Sequence, residues 1–257
     1  MLNIVVPMAG RGQRFVDAGY SLPKPLIPVH GMPMIELVIA NLRPDSAHRF
    51  HFLIQRAHDT TYGLAAKLQA WAPGCTITHV DGITEGAACT VLLARDLIDN
   101  DDPLMIANCD QYIDADINAY LRAMGDAQGL IMTMWADDAK WSFVRRNDEG
   151  RVMQVVEKEV VSHEATVGIY NFAKGRDFLR AADAMIAADN RVNGEFYVAP
   201  AYDMLIDEGD RIECFSIGSV GQGMHGIGTP ADLDAFLATD LSRQVVQRHS
   251  ATAQVQE

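Results

Sequence analysis

Ile4–Ile35 reads IVVPMAGRGQRFVDAGYSLPKPLIPVHGMPMI, and its pattern decides how the rest of the chain is read. A β-type run, Ile4 to Val6, passes through Pro7 into Ala9-Gly10-Arg11-Gly12-Gln13-Arg14-Phe15, a glycine turn carrying two cations. Glycines lack Cβ, so the backbone N–H groups around Ala9, Gly10 and Gly12 can approach a phosphate closely. Lys24 follows between Pro23 and Pro25, whose restricted backbone angles hold its ammonium in one direction. Arg11, Arg14 and Lys24 thus form a cationic cluster in a strongly acidic chain. The spacing is not that of a P-loop, and Phe15 stands where a dinucleotide fingerprint would need its third glycine. A plain turn also explains the two glycines when they are taken alone.

Three motifs in order, Ala9-Gly10-x-Gly12-x-Arg14-Phe15, Pro23-Lys24-Pro25-Leu26 and Gly31-x-Pro33-Met34-Ile35, continue with related motifs as far as Thr229-Pro230. Together they resemble the signature of the sugar-phosphate nucleotidyltransferases, over nearly the whole chain except its polar end. The resemblance implies transfer of a nucleoside monophosphate from an NTP to a phosphorylated sugar or related small molecule, with release of pyrophosphate. It also implies a three-layer, Rossmann-like α/β core, Mg²⁺ as cofactor and, as a family-shaped expectation, a homodimer. An NAD-dependent oxidoreductase is the main rival enzyme, but its fingerprint is incomplete here. Two readings nearer to the main one are a cytidylyltransferase acting on a non-sugar phosphorylated alcohol and a catalytically weak nucleotide-sugar-binding relative.

The chain's 257 residues are 49% hydrophobic, enough for a substantial core. Thirty-four acids against 21 Lys and Arg give a formal charge of -13, a surface that repels nucleic acid and anionic membranes. Cys75, Cys89, Cys109 and Cys214 are too scattered for a zinc knuckle or dithiol centre and read as small buried hydrophobes. Neither a secretory signal nor a membrane-length apolar run is visible, so a cytoplasmic enzyme is expected.

Short apolar strands at Ile4–Val6, His51–Ile54, Thr76–Val80 and Leu104–Ala107 alternate with helical patterns at Met34–Leu42, Tyr62–Ala70 and Ala87–Leu97. This alternation predicts a mixed, mainly parallel sheet whose functional groups gather beyond the strand ends. The second half predicts strands at Gly129–Trp135, Phe143–Arg145, Arg151–Val156, Ala165–Phe172 and Arg211–Ser216, with helices at Phe178–Ala188 and Val198–Glu208 and a loop at Gly218–Gly228. No flexible linker intervenes, so an acceptor-binding region embedded in one domain, residues 1–241, is expected, followed by a polar tail, residues 242–257.

Asp110 leaves the strand Leu104–Ala107 beside the expected polyphosphate site, where a carboxylate can hold Mg²⁺ or cap a turn; the resemblance assigns it the metal. Asp114 and Asp116 read as exposed helix-start acids, and Asp232 as the cap of the helix after Pro230. The family pattern usually carries a second metal-binding aspartate where this chain has Gly226, which leaves a single carboxylate with water-filled coordination, a replacement from elsewhere such as Glu195, or weakened catalysis. His225, a poor Mg²⁺ ligand, reads as packed or solvent-facing. Thr84-Glu85-Gly86-Ala87 resembles a base-recognition loop, with Thr84, Gly86 and Ala87 against the base; a helix start capped by Thr84 is the structural alternative. For the acceptor, the resemblance points to Trp141, Ser142, Glu157, Lys158 and Gly168, with Asn193 and Glu195 from a second polar segment. Arg14, Lys24, Asp110 and Lys158 are its expected catalytic groups. Trp141 is equally explained by core packing, and Asn193 and Glu195 by a turn and helix cap.

Overall fold

Strand β1 (Leu2–Met8) lies well inside the sheet, and nearly all of its side chains are buried. Ile4, Val6 and Met8 enter one apolar layer and Val5 the other, the alternation required of a strand covered on both faces. The computed structural model describes residues 1–255. After β1 come a short helix α1 (Gln13–Asp17), a minimal hairpin of β2 (Pro28–Val29) and β3 (Met32–Pro33), and helix α2 (Met34–Leu42). Pro33 sits before α2 with φ −54°, a value preset for a helix start. The helix buries Ile35, Leu37, Val38, Ile39 and Leu42 in the same layer as Ile4 and Val6.

The chain then forms β4 (His48–Gln55), α3 (Arg56–Tyr62), α4 (Leu64–Trp71), β5 (Thr76–Val80), α5 (Ala87–Leu92), α6 (Arg95–Ile98) and β6 (Leu104–Ala107). Strands β5-β4-β1-β6 are neighbours in that order and all parallel. Their carboxyl ends therefore open on one edge, bringing together the Ala9–Gly12 turn, Gln55, the Asp81–Gly86 loop and Asn108–Asp110. The helix expected near Tyr62–Ala70 is α4, preceded by a helix α3 that was not expected, and the one expected over Ala87–Leu97 is broken in two. Gly63, at φ +61°, ends α3 and opens α4, a left-handed position that glycine fills without strain. The helix read over Ala87–Leu97 stops at Leu92 and resumes at Arg95.

Beyond β6 lie β7 (Gln111–Ile113), α7 (Ile117–Arg122), β8 (Gly129–Trp135), β9 (Ser142–Arg146), β10 (Val152–Glu157), β11 (Glu164–Phe172), α8 (Gly175–Ala187), α9 (Ala201–Asp207), β12 (Ile212–Val220), β13 (Gly223–Gly226), α10 (Pro230–Leu237) and α11 (Asp240–Val255). Strand β11 is antiparallel to both β6 and β8 and joins the first parallel block to a second, β8-β12-β13. The β9–β10 hairpin hangs from β11 through Ala165 and Phe143. The region expected to bind acceptor is thus an extension of the same sheet. Within the stretch read as a loop, β13 pairs with β7, and much of the stretch read as a tail is the helix α11. Its last two residues lie outside the described structure.

Asp116 caps α7 by accepting from the Asn118 N–H, as a helix-start acid should. At α10 the cap is Thr229 and not Asp232: Thr229 Oγ1 accepts from the Asp232 N–H at 3.1 Å and donates to Asp232 Oδ2 at 2.7 Å, so the Asp232 carboxylate orients the capping hydroxyl. Of the four cysteines only Cys109 is buried; the others are partly exposed.

Asp203 of α9 accepts from the Val155 N–H of β10 at 2.7 Å, and burial raises its pKa to about 6. Between the ordinary carboxylate value and 6 the folded state holds more protons than the unfolded one, so stability falls as pH rises through that window. Asp203→Asn keeps an acceptor for Val155 and cannot ionise. It should raise stability at pH above 6 by roughly 1–2 kcal/mol and leave it little changed near pH 4, as read by urea unfolding at both pH values.

Candidate active site

The glycine turn is fixed from its far side. Gly12, at φ +61°, opens α1, and Phe15 is fully buried with its ring edge-to-face on Tyr20 at 5.1 Å. A core phenylalanine thus occupies the place where a dinucleotide site would need a glycine. A Cβ on Gly12 would lie 3.2 Å from Lys24 Cβ, so the turn and the proline-framed lysine are in close contact. Pro25 and Leu26 are buried and anchor Lys24. Its Nζ donates to Asp110 Oδ2 at 2.9 Å. Burial works against the ammonium, but the Asp110 carboxylate outweighs it and holds the Lys24 pKa above the ordinary lysine value.

Asp110 is held from a second side by the chain that leaves β13. Its carbonyl accepts from the Ile227 N–H at 2.9 Å, and a Cβ on Gly228 would come within 2.4 Å of Asp110 Oδ2. Gly228→Ala should therefore displace the carboxylate and cut turnover at least about tenfold with the fold retained, checked by steady-state rates beside circular dichroism. Gly226 has room for a side chain: an added Cβ would meet only Asp232, at 3.7 Å. His225 is packed, its ring 5.3 Å from Phe236 and 6.3 Å from Tyr112.

A cavity of about 500 Å³ lies over these groups. Ala9, Gly10, Arg14 and Lys24 line one side, Thr84, Gly86 and Ala87 another, and Asn108, Asp110, Glu195 and Tyr197 the rest. Arg11, grouped by sequence with Arg14 and Lys24, instead lines a neighbouring cavity with Gln55, Arg56 and Asp81. Thr84 does not cap α5. Its hydroxyl is spent on the Gly86 carbonyl at 3.0 Å and Thr90 Oγ1 at 2.5 Å, and Gly86 itself is the cap residue. A Cβ on Gly86 would strike the Phe196 backbone at 2.4 Å, and φ there is +131°. Phe196 N–H donates to the Glu85 carbonyl at 2.7 Å and Ala88 N–H to the Phe196 carbonyl at 3.0 Å, so the Thr84–Ala87 loop is laced to the segment carrying Glu195 and Tyr197.

A second cavity, about 330 Å³, meets the first at Arg14, Ala87, Asn108 and Tyr197. It is lined by Lys140, Trp141, Ser142, Glu157, Lys158, Thr166, Gly168 and Tyr170. Glu157 ends β10 opposite Ser142 of β9, whose hydroxyl donates to it. Burial raises the Glu157 pKa, opposed by Ser142 and Lys158. Lys158 takes a left-handed backbone, φ +58°, that aims its ammonium at the Tyr197 hydroxyl and 4.5 Å over the ring. A non-glycine residue in that region stores strain of the kind that collects at working sites. Gly168 sits at a bulge in β11, and a Cβ there would lie 2.0 Å from Asn108 Nδ2. Trp141 packs partly on the core and partly lines the cavity.

Gly12 lines neither cavity and is tied to the first only through its contact with Lys24, and Asn193 stands apart as well. It is exposed in a left-handed turn before Gly194 and lines neither cavity, because the turn that presents Glu195 consumes it. Lys140, Thr166, Tyr170 and Tyr197 also line the second cavity; they stand in the stretches the sequence reads for the acceptor, where none of them carries an expected role of its own. Thr166 and Tyr170 flank Gly168 at two positions on either side and so share its face of β11.

Residues 4–197 match the model of the family described as nucleotidyl transferase. The chain belongs to that family. It is 27% identical to the bifunctional protein GlmU of Ralstonia nicotianae over 81% of this chain and 45% of the relative. It is 25% identical to the UTP–glucose-1-phosphate uridylyltransferase AglF of Haloferax volcanii over 91% of this chain and 94% of the relative. The structure of the nucleoside-diphosphate-sugar pyrophosphorylase from Vibrio cholerae superposes with a TM-score of 0.80 at 26% identity, covering 92% of this chain and 100% of that one. The chain spans about half the length of the GlmU relatives it matches.

Proposed function

We propose that the chain transfers a nucleoside monophosphate from an NTP to a phosphorylated small molecule, most simply a sugar phosphate, and releases pyrophosphate. The observation that carries this reading is the meeting of two cavities at Arg14, one holding Lys24 and Asp110, the other Glu157 and Lys158. An NTP in the first would lay its phosphates on the Ala9–Gly12 backbone, Arg14 and Lys24, with its base against Gly86 and Ala87. An acceptor in the second would bring its phosphate to Lys158. An oxygen of that phosphate attacks the α-phosphorus, the bond to the β-phosphate breaks, and both electrons leave with pyrophosphate. The protein's part is alignment and charge stabilisation, and no protein nucleophile is required. The relatives named for glucose 1-phosphate uridylyl transfer support this choice of acceptor.

Asp110 offers the oxygen chemistry Mg²⁺ prefers, and its carboxylate already faces the Lys24 ammonium at 2.9 Å. Among the described residues no three His, Cys, Asp or Glu side chains form a metal cage, so water and substrate phosphates would complete the shell, with Glu195 across the same cavity. Bound there, Mg²⁺ would offset charge on the phosphates. Turnover should vanish on chelation and return with Mg²⁺; conjugate formation after complete removal of divalent ions would reject this part.

The deciding experiment is a matrix of NTPs against sugar 1-phosphates, other sugar phosphates and phosphorylated alcohols, read by pyrophosphate release with mass detection of the conjugate. A sugar-linked product is expected. A phosphorylated-alcohol conjugate would keep the reaction and change the acceptor, and binding without pyrophosphate release would move the chain to a nucleotide-sugar-binding role, which Gly226 favours. The same proposal has the enzyme cytoplasmic and homodimeric. Among the described residues no helix is long and apolar enough to cross a membrane.

A further inference from the structure

The two cavities share the lining residues Arg14, Ala87, Asn108 and Tyr197. Arg14 is the cation that the proposed reaction already uses, and the Tyr197 hydroxyl receives the Lys158 ammonium. Ala87 has no polar side chain. Asn108 remains. It follows the last residue of β6, two positions before Asp110, and it is exposed. Its backbone N–H donates to the Gly168 carbonyl at 3.0 Å. Its side-chain Nδ2 fills the volume that a Cβ of residue 168 would need, 2.0 Å from that point, and Gln111 Oε1 lies 3.3 Å from the same point. Gly168 is therefore the seat of the Asn108 amide, and the group behind that amide is neutral. An amide NH₂ carries two donor hydrogens. Among the described residues neither has a protein partner, so turning the amide towards a ligand breaks no hydrogen bond. The carboxylates nearby, Asp110 and Glu195 in the first cavity and Glu157 in the second, would repel a phosphate; the amide would donate to one.

We infer that Asn108 is a further catalytic residue: its amide donates to an oxygen of the phosphoryl group that passes between the two cavities, and Gly168 leaves the space that keeps it at their junction. This deepens the proposed function and rests on it. An NTP in the first cavity, or a sugar phosphate in the second, would reach the junction with one end only. The transferring group and the finished nucleoside-diphosphate sugar would cross it. A donor fixed at that point acts on charge that develops during transfer, so it contributes to kcat more than to the binding of either reactant.

The test combines steady-state pyrophosphate release with calorimetric binding, both with Mg²⁺ present, on the wild-type chain, Asn108→Leu and Asn108→Asp. UDP-, dTDP-, CDP-, GDP- and ADP-glucose are the probes that span both cavities; glucose 1-phosphate and the matching NTP are the halves. Leucine keeps the shape and loses the donors, whereas aspartate keeps the size and sets a charge against phosphate. Asn108→Leu should lower kcat about 10²-fold with both KM values within about twofold of wild type. It should weaken the tightest-binding conjugate about tenfold and leave each half within about twofold. Asn108→Asp should lose more kcat than Asn108→Leu. A merely space-filling asparagine would leave Asn108→Leu with a normal kcat. That result, a loss confined to KM, an Asn108→Asp as active as wild type, or no binding of any conjugate would each overturn the inference. Should Asn108→Leu fail to fold, Asn108→Asp carries the same comparison, since it changes only the amide nitrogen to oxygen. The two failures are distinguishable. Pyrophosphate release by the wild type with an unchanged Asn108→Leu refutes the role of Asn108 and spares the reaction. Conjugate binding that weakens in Asn108→Leu, without pyrophosphate release by any chain, refutes the reaction and spares the contact.

Discussion

Lys24→Met should abolish most turnover, by about 10²–10³-fold, while the chain still folds. The methionine keeps much of the apolar stem, and the local backbone is held by buried Pro25 and Leu26, so the loss is that of a charge at a fixed point. That charge sits in the cavity proposed for the NTP, beside Arg14 and against Gly12, where a triphosphate would place its anionic oxygens. Removing it also leaves the Asp110 carboxylate, 28% exposed, without its cation. The pair is only partly buried, so a stability cost of about 1–2 kcal/mol is expected, well short of unfolding. Mn²⁺ affinity in the absence of nucleotide should rise, because the ammonium no longer competes for Asp110. Arg11→Ala should be milder, since Arg11 lines the neighbouring cavity. Normal NTP binding and turnover in folded Lys24→Met would defeat the phosphate site.

The parallel half of the fold was legible because each strand of the first block is a short apolar run followed by a helical period. The boundaries of Met34–Leu42, Thr76–Val80, Leu104–Ala107 and Gly129–Trp135 coincide with those in the structure. Legibility failed where tertiary pairing decides. Gly223–Gly226 contains two glycines in four residues and has little strand propensity, yet it is a strand because β7 and β12 lie on either side of it. Helix α3 was not legible because His58-Asp59-Thr60-Thr61-Tyr62 are poor helix formers and bury nothing. At the site, the residues framed by glycine and proline were readable, because those residues constrain the backbone locally. Tyr197 was not: it reaches both cavities only through the backbone bonds of Phe196 to Glu85 and Ala88, a contact across more than a hundred positions. Asn193 was misread for the converse reason, since polar side chains in a turn look alike whether they face a ligand or support the bend.

Asp110→Asn should be as damaging to turnover as Lys24→Met, about 10²–10³-fold, with a smaller effect on folding. Size and backbone bonding are preserved, including the carbonyl that accepts from Ile227 and the close fit to Gly228. What disappears is the formal charge that holds Lys24 and would hold the divalent ion. Each single substitution strands its partner: Lys24 faces a neutral amide in one, and Asp110 faces a thioether in the other. The double variant strands neither. Its stability loss should therefore fall short of the sum of the single losses by roughly 1 kcal/mol, while its turnover should be little worse than either single variant, because both residues would serve one step. Divalent-ion affinity separates the two roles. It should fall in Asp110→Asn and in the double variant and rise in Lys24→Met, since of these two side chains only the carboxylate would act as a ligand. Additive stability losses, or a divalent affinity that follows Lys24 and ignores Asp110, would show that the 2.9 Å pair is an ordinary surface ion pair and that the metal is held elsewhere.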